Sequence, residues 1–361
     1  MLTESFVASV LSGDKSASNA AAKDVGIHLH DYQPIAGLKA SFKRSSTPVN
    51  CLAVSASHIF AAQSEKAVVH VYNRERGNQE AIVPFPERIH SVTFAGDPNG
   101  AGVLLLGTEG GRVNLWELCT GRQISTPQSH LQTITCLAAD STANFLLSGS
   151  LDSNIHVWSL PTLLSFASSS VNDISQPSLH APLRSLANHR AAITALTVGH
   201  SASNTNIAVS ASKDNTCIVW DYHTGAALHT FLLPSTPLCL TLDPADRAVY
   251  AGYDDGSIQL VDFYKNASLT QALHDPALQS TPTQAPPSDR WALPSAATSA
   301  ALCLDVSYDG TSILSGHQNG KVQTWDIAKG RYNIQLADFS APVTNLRMLP
   351  PTGFPTQPPH P

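Results

Sequence analysis

Ser210-Ala211-Ser212-Lys213-Asp214-Asn215-Thr216-Cys217-Ile218-Val219-Trp220-Asp221-Tyr222-His223-Thr224-Gly225 reads as strand, tight turn, strand, turn. Val209 closes one short apolar run. Asp214-Asn215 supply short polar side chains that tolerate a left-handed backbone, and Cys217 to Trp220 form a second run that Thr224-Gly225 breaks. The same pattern returns as Ser148-Gly149-Ser150-Leu151-Asp152 to Val157-Trp158-Ser159. It appears again as Gly107-Thr108-Glu109-Gly110-Gly111 to Leu115-Trp116-Glu117, and as Ser315-Gly316-His317-Gln318-Asn319 to Thr324-Trp325-Asp326.

Two degenerate copies emerge once the register is fixed: Gly252-Tyr253-Asp254-Asp255 to Val261-Asp262-Phe263, and Ala62-Gln63-Ser64-Glu65 to Val71-Tyr72-Asn73. A third, Gly26-Ile27-His28-Leu29-His30-Asp31-Tyr32, lies near the N-terminus. With His30, Tyr72, Trp116, Trp158, Trp220, Val261 and Trp325 taken as equivalent, the spacings are roughly 42, 44, 42, 62, 41 and 64 residues, where a propeller blade needs ≈ 40–45. Two blades therefore carry insertions of about 20 residues. A strand ending in Trp-Asp with an Asp six positions earlier resembles the WD-repeat blade. The expected fold is all-β, a seven-bladed WD-repeat β-propeller.

The strands that should open each blade give an independent check. Segments 50–54, 90–94, 135–139, 194–198, 238–242, 302–306 and 344–348 align, each with a small residue followed by an apolar one. Small residues belong where inner strands crowd the axis, and the alternation is that of a half-buried strand. The seventh opening strand follows the last complete blade, whereas 5–11 begins directly with a second strand. The C-terminal strand should therefore complete blade one, which removes the unpaired sheet edge of an open ring.

At 361 residues the chain exceeds the usual single-domain size, but seven four-stranded blades account for 1–349 as one closed domain, with 350–361 as a Pro-rich tail. A hydrophobic content of 42% with 13% charged residues, 24 Pro and 21 Gly fits many short strands joined by turns. The net charge of −6 offers nucleic acid no general attraction, and the local basic group Lys39, Lys43, Arg44 reads as a solvated outer strand before it reads as an RNA contact. Six Cys without a CxxC spacing read as reduced core residues of an intracellular protein. Four of them share the inner-strand position, which suits packing better than an axial metal ring. The opening Met1-Leu2-Thr3-Glu4 has neither basic flank nor apolar core, and no run reaches the length of a membrane span. A soluble, non-secreted protein with no membrane association is expected, in which the sequon Asn266-Ala267-Ser268 has no consequence.

The insertion of blade four, 161–182, begins with Leu163, Leu164 and Phe166 and continues Ser-rich. It forms either a short helix folded back on the blade edge or a docking element for a partner. The insertion of blade six, 265–299, is rich in Pro, Gln, Thr and Ala, and its middle, 279–289, is expected to be mobile. Arg290-Trp291-Ala292-Leu293 should return as the missing fourth strand, with Trp291 either covered by the blade edge or exposed as an anchor. Leu163, Leu164, Phe166 and Trp291 are the candidate partner-binding residues.

In WD repeats a His before the opening strand, a Ser or Thr on the second strand, the turn Asp and the Trp form a buried hydrogen-bonded chain. Blade four supplies His130, Asp152 and Trp158 with Ser148 or Ser150; blade five supplies His189, Asp214 and Trp220 with Ser210 or Ser212. On paper these sets resemble a hydrolase triad, but a nucleophile needs no second copy, so the structural reading is preferred. His28 and His30, two apart on one strand, lack a third metal ligand nearby. Neither a phosphate-binding Gly loop, a nucleophile elbow nor HExxH is present. No catalytic residue, metal or cofactor is expected, and the rims and inserted loops are left as docking surface.

Over 2–264 the resemblance becomes more specific. Val103-Leu104-Leu105-Leu106-Gly107-Thr108-Glu109-Gly110-Gly111-Arg112-Val113-Asn114-Leu115-Trp116-Glu117, His156-Val157-Trp158-Ser159-Leu160 before an insertion, and Gly252-Tyr253-Asp254-Asp255-Gly256-Ser257-Ile258-Gln259-Leu260-Val261-Asp262 resemble the WD-repeat subunit of a nuclear complex. That complex processes the second internal transcribed spacer of pre-ribosomal RNA. The degenerate sixth blade, with Val261-Asp262 in place of Trp-Asp, is the most telling of the three. The resemblance implies a non-enzymatic scaffold on large ribosomal subunit precursors, in nucleolus and nucleoplasm. It also implies a helical-repeat scaffold subunit, a small third subunit and the AAA-type ATPase midasin as partners, with self-association through a C-terminal helical extension that this Pro-rich ending does not reach. The competing reading is an adaptor of another assembly, a ubiquitin-ligase substrate receptor or a coat component. A ligase receptor is favoured by an Asp-Arg pair directly after a WD dipeptide, but Tyr222-His223 and Ile327-Ala328 stand there. A propeller enzyme, the third possibility, needs a charged axial cluster that small and apolar inner strands do not provide.

Overall fold

The structure is a computed structural model that describes residues 3–11, 25–96, 102–165, 180–200, 206–264, 279, 281–294 and 298–352. Hydrogen bonding sorts its strands into seven sheets, one per blade. Blade one runs Val343–Met348, Glu4–Val10, Val25–Gln33, Gly37–Lys43 from inside outward, and blade two Leu52–Val54, His58–Ala62, Val68–Asn73, Gln79–Pro84. Blade three is Ile89–Gly96, Gly102–Thr108, Val113–Glu117, Gln123–Ser125; blade four is Ile134–Ala139, Phe145–Ser150, Ile155–Ser159, Arg184–Leu186. Blade five comprises Ile193–Val198, Ile207–Ser212, Thr216–Asp221 and Ala226–Leu232. Blade six comprises Cys239–Leu242, Ala248–Gly252, Ile258–Asp262 and Arg290–Trp291, and blade seven Ala301–Val306, Ser312–His317, Lys321–Asp326 and Arg331–Asp338.

Strand alternation dictates how the blades join. Successive side chains point to opposite faces of a sheet, so each blade presents one apolar face to each neighbour. In blade five Ile207, Val209, Cys217 and Val219 pack against Val249, Ala251 and Val261 of blade six, while Ala208, Ile218 and Trp220 turn to Leu147, Ile155 and Val157 of blade four. Seven such clusters, each shared by two neighbouring blades, run around the circle. The core is therefore a set of inter-blade layers.

The small inner-strand residues do more than fit. Ser91 Oγ donates to Ile134 O at 3.2 Å, Thr135 Oγ1 to Ile193 O at 2.7 Å, and Thr344 Oγ1 to Thr47 O at 2.6 Å. The thiols of Cys51, Cys239 and Cys303 reach Ile89 O, Ala301 O and Val343 O at 3.8, 3.3 and 3.6 Å. Each bond ties an inner strand to the segment that opens the next blade. Between blades five and six Ala195 stands at the Ser91 and Cys239 position without a donor, and Thr194, at the Thr135 position, has a buried hydroxyl without a partner among the described residues. The approach is close enough to forbid side chains on the second strand: a Cβ on Gly149 would lie 2.8 Å from both Cys136 Sγ and Ile193 Cγ2.

The C-terminal strand closes the ring as expected: Phe6 to Val10 pairs antiparallel with Met348 back to Val343. Asn345 adds side-chain bonds to Pro48 O, Ser9 Oγ and Cys51 N–H, and two carboxylates cross the seam to blade seven. Glu4 accepts from Tyr308 N at 2.6 Å and Asp305 from Met348 N at 2.7 Å.

The insertions differ in part from expectation. Blade four's connection starts with a short helix, Leu160–Leu164, capped by Ser159 and carrying Pro161 in its first turn, where a missing N–H does no harm. In blade six the mobile stretch expected over 279–289 is ordered over 281–289. Thr283–Gln284 adds a parallel strand outside Phe231 and Leu232 of blade five, which gives the segment partners its composition did not reveal. Ala285 is buried beside it and its N–H donates to Leu232 O at 3.0 Å. Arg290–Trp291 then supplies the fourth strand, against Ile258 and Gln259. Both connections join a third strand to a fourth, so both leave the ring at the same face, where Thr3 and Thr352 also pair.

Candidate functional site

The expected side-chain chains assemble around the turns of blades four and five. In blade four Trp158 Nε1–H donates to Ser148 Oγ at 2.9 Å, Ser148 lies 2.9 Å from His130 Nε2, and His130 Nδ1 lies 3.1 Å from Asp152 Oδ2. The sequence left Ser148 and Ser150 open; the geometry selects Ser148, while Ser150 Oγ donates to Gln132 O. One proton arrangement satisfies every atom: Trp to Ser, Ser hydroxyl to His Nε2, His Nδ1–H to Asp. Burial, with the neighbouring His156, lowers His130 to about 4, so the imidazole is neutral. Burial would raise Asp152, but the N–H groups of Asn154 and Leu131 together with His130 outweigh it and leave the carboxyl below its ordinary range.

Blade five repeats the arrangement with one added member. Trp220 Nε1–H donates to Ser210 Oγ at 2.8 Å and Ser210 lies 2.7 Å from His189 Nε2. His189 Nδ1 meets Thr216 Oγ1 at 2.9 Å and lies 3.4 Å from Asp214 Oδ2, and Thr216 donates to Asp214 Oδ1 at 2.5 Å, so a threonine adds a relay beside a longer version of the contact that histidine makes in blade four. Ser212 Oγ instead donates to Ala191 O. Blade seven holds a related set that the motif did not reveal. Trp325 Nε1–H donates to Ser315 Oγ at 2.8 Å, and the imidazole 2.8 Å from that hydroxyl is His317, which anchors its other nitrogen on Ser299 O. His317 comes from the second strand, two residues after the serine, and not from the segment before the opening strand. The spacing Ser-x-His was the available signal.

These sets hold no accessible nucleophile: Ser148, Ser210 and Ser315 are fully buried. His28 stacks on Phe339 at 4.1 Å between ring centroids and His30 on Phe6 at 5.3 Å. Burial, with His30 adding repulsion, lowers His28 to about 4. Among the described residues no group of three or more His, Cys, Asp or Glu is placed to hold a metal ion. Burial pushes the thiols of Cys51, Cys136, Cys217 and Cys239 up to about 12. The inner strands surround a channel of about 660 Å³ whose wall includes Leu137, Leu196, Leu240 and Leu304, with His200, Asp305, Tyr308 and Arg347 among its polar lining. No helix among the described residues is long and apolar enough to cross a membrane.

The partner-binding candidates are placed differently from one another. Leu163 is 1% exposed and packs with Leu146, Trp158 and Leu160, and Leu164 is half-buried against the same cluster. Trp291 is 5% exposed, 5.7 Å from the Tyr250 ring, and packs in the layer that holds Trp325. Leu163 and Trp291 are thus consumed by contacts inside the chain, because the helix and the fourth strand that carry them cover apolar blade edges. Phe166 lies outside the described residues. Lys39, Lys43 and Arg44 stand exposed on or just beyond the outermost strand of blade one, with Lys39 3.6 Å from Asp31.

The family model of the WD domain, G-beta repeat, matches residues 121–159, 180–221 and 293–326, which cover the outermost strand of blade three, blade four, three strands of blade five and three of blade seven. The chain is a seven-bladed propeller, three segments of which match the WD repeat. It is 26% identical over 324 residues to the pre-rRNA-processing protein IPI3 of Candida albicans, covering 80% of this chain and 63% of that protein. It is 26% identical over 330 residues to the pre-rRNA-processing protein crb3/ipi3 of Schizosaccharomyces pombe, covering 86% of this chain and 71% of the relative. The human WD repeat-containing protein 18 is 26% identical over 299 residues, with 82% of this chain and 63% of that protein covered. The aligned part thus spans less than two thirds of the Candida and human proteins.

Proposed function

We propose that this WD-repeat propeller is a non-catalytic scaffold subunit of a complex that processes internal transcribed spacer RNA and matures large ribosomal subunit precursors. The observation that carries the reading is its alignment, over 80% and 86% of its length, with two fungal proteins named for pre-rRNA processing. The structure supports a scaffold in physical terms. Its polar constellations are buried and mutually satisfied, so they stiffen turns and leave little for chemistry, while the ring presents two rims to partners.

In this reading the partners are a helical-repeat scaffold subunit, a small third subunit, the AAA-type ATPase midasin and the precursor particle, in nucleolus and nucleoplasm. Self-association belongs to the same proposal. The connections of blades four and six, which share a face, are the proposed contact segments. The test is purification of the tagged chain from nuclear extract at moderate salt, with mass spectrometry of what accompanies it. Large-subunit precursor proteins, the helical-repeat subunit and midasin are expected; ligase or coat subunits in their place would overturn the reading. Depletion of the protein should also accumulate precursor RNA that retains the second spacer.

A further inference from the structure

The buried sets also aim the residues beside them. In blade four Asp152 accepts the N–H of Leu131 at 2.9 Å, and Leu151 N–H donates to Thr133 O at 3.0 Å. Blade five repeats both bonds with other side chains: Asp214 accepts from Arg190 N–H at 2.8 Å, and Lys213 N–H donates to Ala192 O at 2.9 Å. Leu131 and Arg190 are therefore equivalent positions of neighbouring blades, as are Leu151 and Lys213. The pairs share one seam, because Gly149, two residues before Leu151, packs on Ile193, next to the Ala192 that anchors Lys213.

All four side chains are left to solvent. Leu131 is 82% and Leu151 39% exposed, and Arg190 and Lys213 are exposed with no carboxylate within 4.0 Å among the described residues. The backbone bond that fixes Leu151 recurs at Ser64, Glu109 and Gln318, so its place in the ring is otherwise filled by polar or charged residues. In the flanking blades Glu109 and Asp254 follow the second strand at this place. Two leucines and two unpaired cations thus sit on rigid turns with an acid on either side.

We propose that the rim of blades four and five is a docking site for an acidic, aliphatic linear segment of a partner protein. Its carboxylates would meet Arg190 and Lys213, and an aliphatic side chain would cover Leu131 and Leu151. Glu109 and Asp254 repel carboxylates beyond these two blades and so limit the footprint. A nucleic-acid strand would satisfy the cations but leave both leucines in water, so a protein segment fits the patch better. The site goes beyond the scaffold role and does not depend on which assembly the chain joins.

The test is panning of phage-displayed random peptides on the full chain. The selected peptides are then synthesised and titrated by fluorescence polarisation against two double variants, Leu131→Ser with Leu151→Ser and Arg190→Glu with Lys213→Glu. Unchanged thermal unfolding establishes that these surface variants are folded. Selected peptides should pair Asp or Glu with Leu, Ile or Phe, lose affinity about tenfold or more on each double variant, and weaken as salt is raised. Failure to enrich such peptides, or equal affinity for wild type and both variants, would overturn the proposal. So would a labelled single-stranded RNA that binds with dependence on Arg190 and Lys213 but none on the leucines.

Discussion

Ser148 serves two partners at once, accepting from Trp158 and facing His130, and its burial leaves water no way to replace either. Ser148→Ala should cost about 1–3 kcal/mol in urea unfolding because it orphans two buried groups. Ser150→Ala, which removes the bond to Gln132 O and the one accepted from Asp152 N–H, should also lower the urea midpoint but leave the Trp158–Ser148–His130 chain intact. Sequence periodicity could not separate the two serines, since residues two apart share a face of a strand; only their distances to Trp158 and His130 decide. His317 escaped for a related reason, because its ring reaches Ser315 from the second strand, where the motif expects no histidine. His130 carries a pH signature. Its folded value of about 4 lies below the ordinary 6.5, so its contribution is fully present above 6.5 and is lost as pH falls from there toward 4, at about 1.4 kcal/mol per unit of pKa. Urea midpoints should drop across that interval, and the drop should shrink in His130→Gln.

Gly149 shows what an element must give up to join a ring: its strand lies so close to Cys136 and Ile193 that no side chain fits. Gly149→Val should destabilise by about 1–3 kcal/mol through overpacking and lower the melting temperature, with the sheet content of the folded protein unchanged. Arg290 anchors the returning strand of blade six. It donates to Ser257 Oγ at 2.8 Å and to Asp255 at 2.6 Å, a turn contact that takes the place of the His-Ser-Trp set absent from that blade. The half-exposed Asp255 limits what Arg290→Ala should cost to about 1 kcal/mol, measured by urea unfolding. Strands with a strong alternating pattern were legible from sequence, including all seven inner ones. Thr283–Gln284 was not, because two residues among prolines carry no periodicity and their partner, blade five, is supplied by the tertiary fold.

For the whole molecule, the recurrence of Trp116, Trp158, Trp220 and their equivalents at one blade length, or at one blade length plus an insertion, made the blade number readable, and the orphan strand at 344–348 made the closure readable. The docking rim was not readable, because Leu131 and Leu151 are ordinary residues until the ring sets their blade next to the one that carries Arg190 and Lys213. Truncation after residue 342 should replace one cooperative unfolding transition by a broad one in calorimetry, with hydrogen exchange fastest in blades one and seven. The layer formed by Phe6, Val10, Leu314 and Val322 loses Val343 and Leu346 in that variant. The same closure imposes a timetable on synthesis. Glu4–Val10 is synthesised long before its inner partner Val343–Met348, with the other six blades made in between. At roughly 5–20 residues per second, the nascent chain carries an open β-edge for tens of seconds, so its first blade must be shielded from other chains until the last strand arrives.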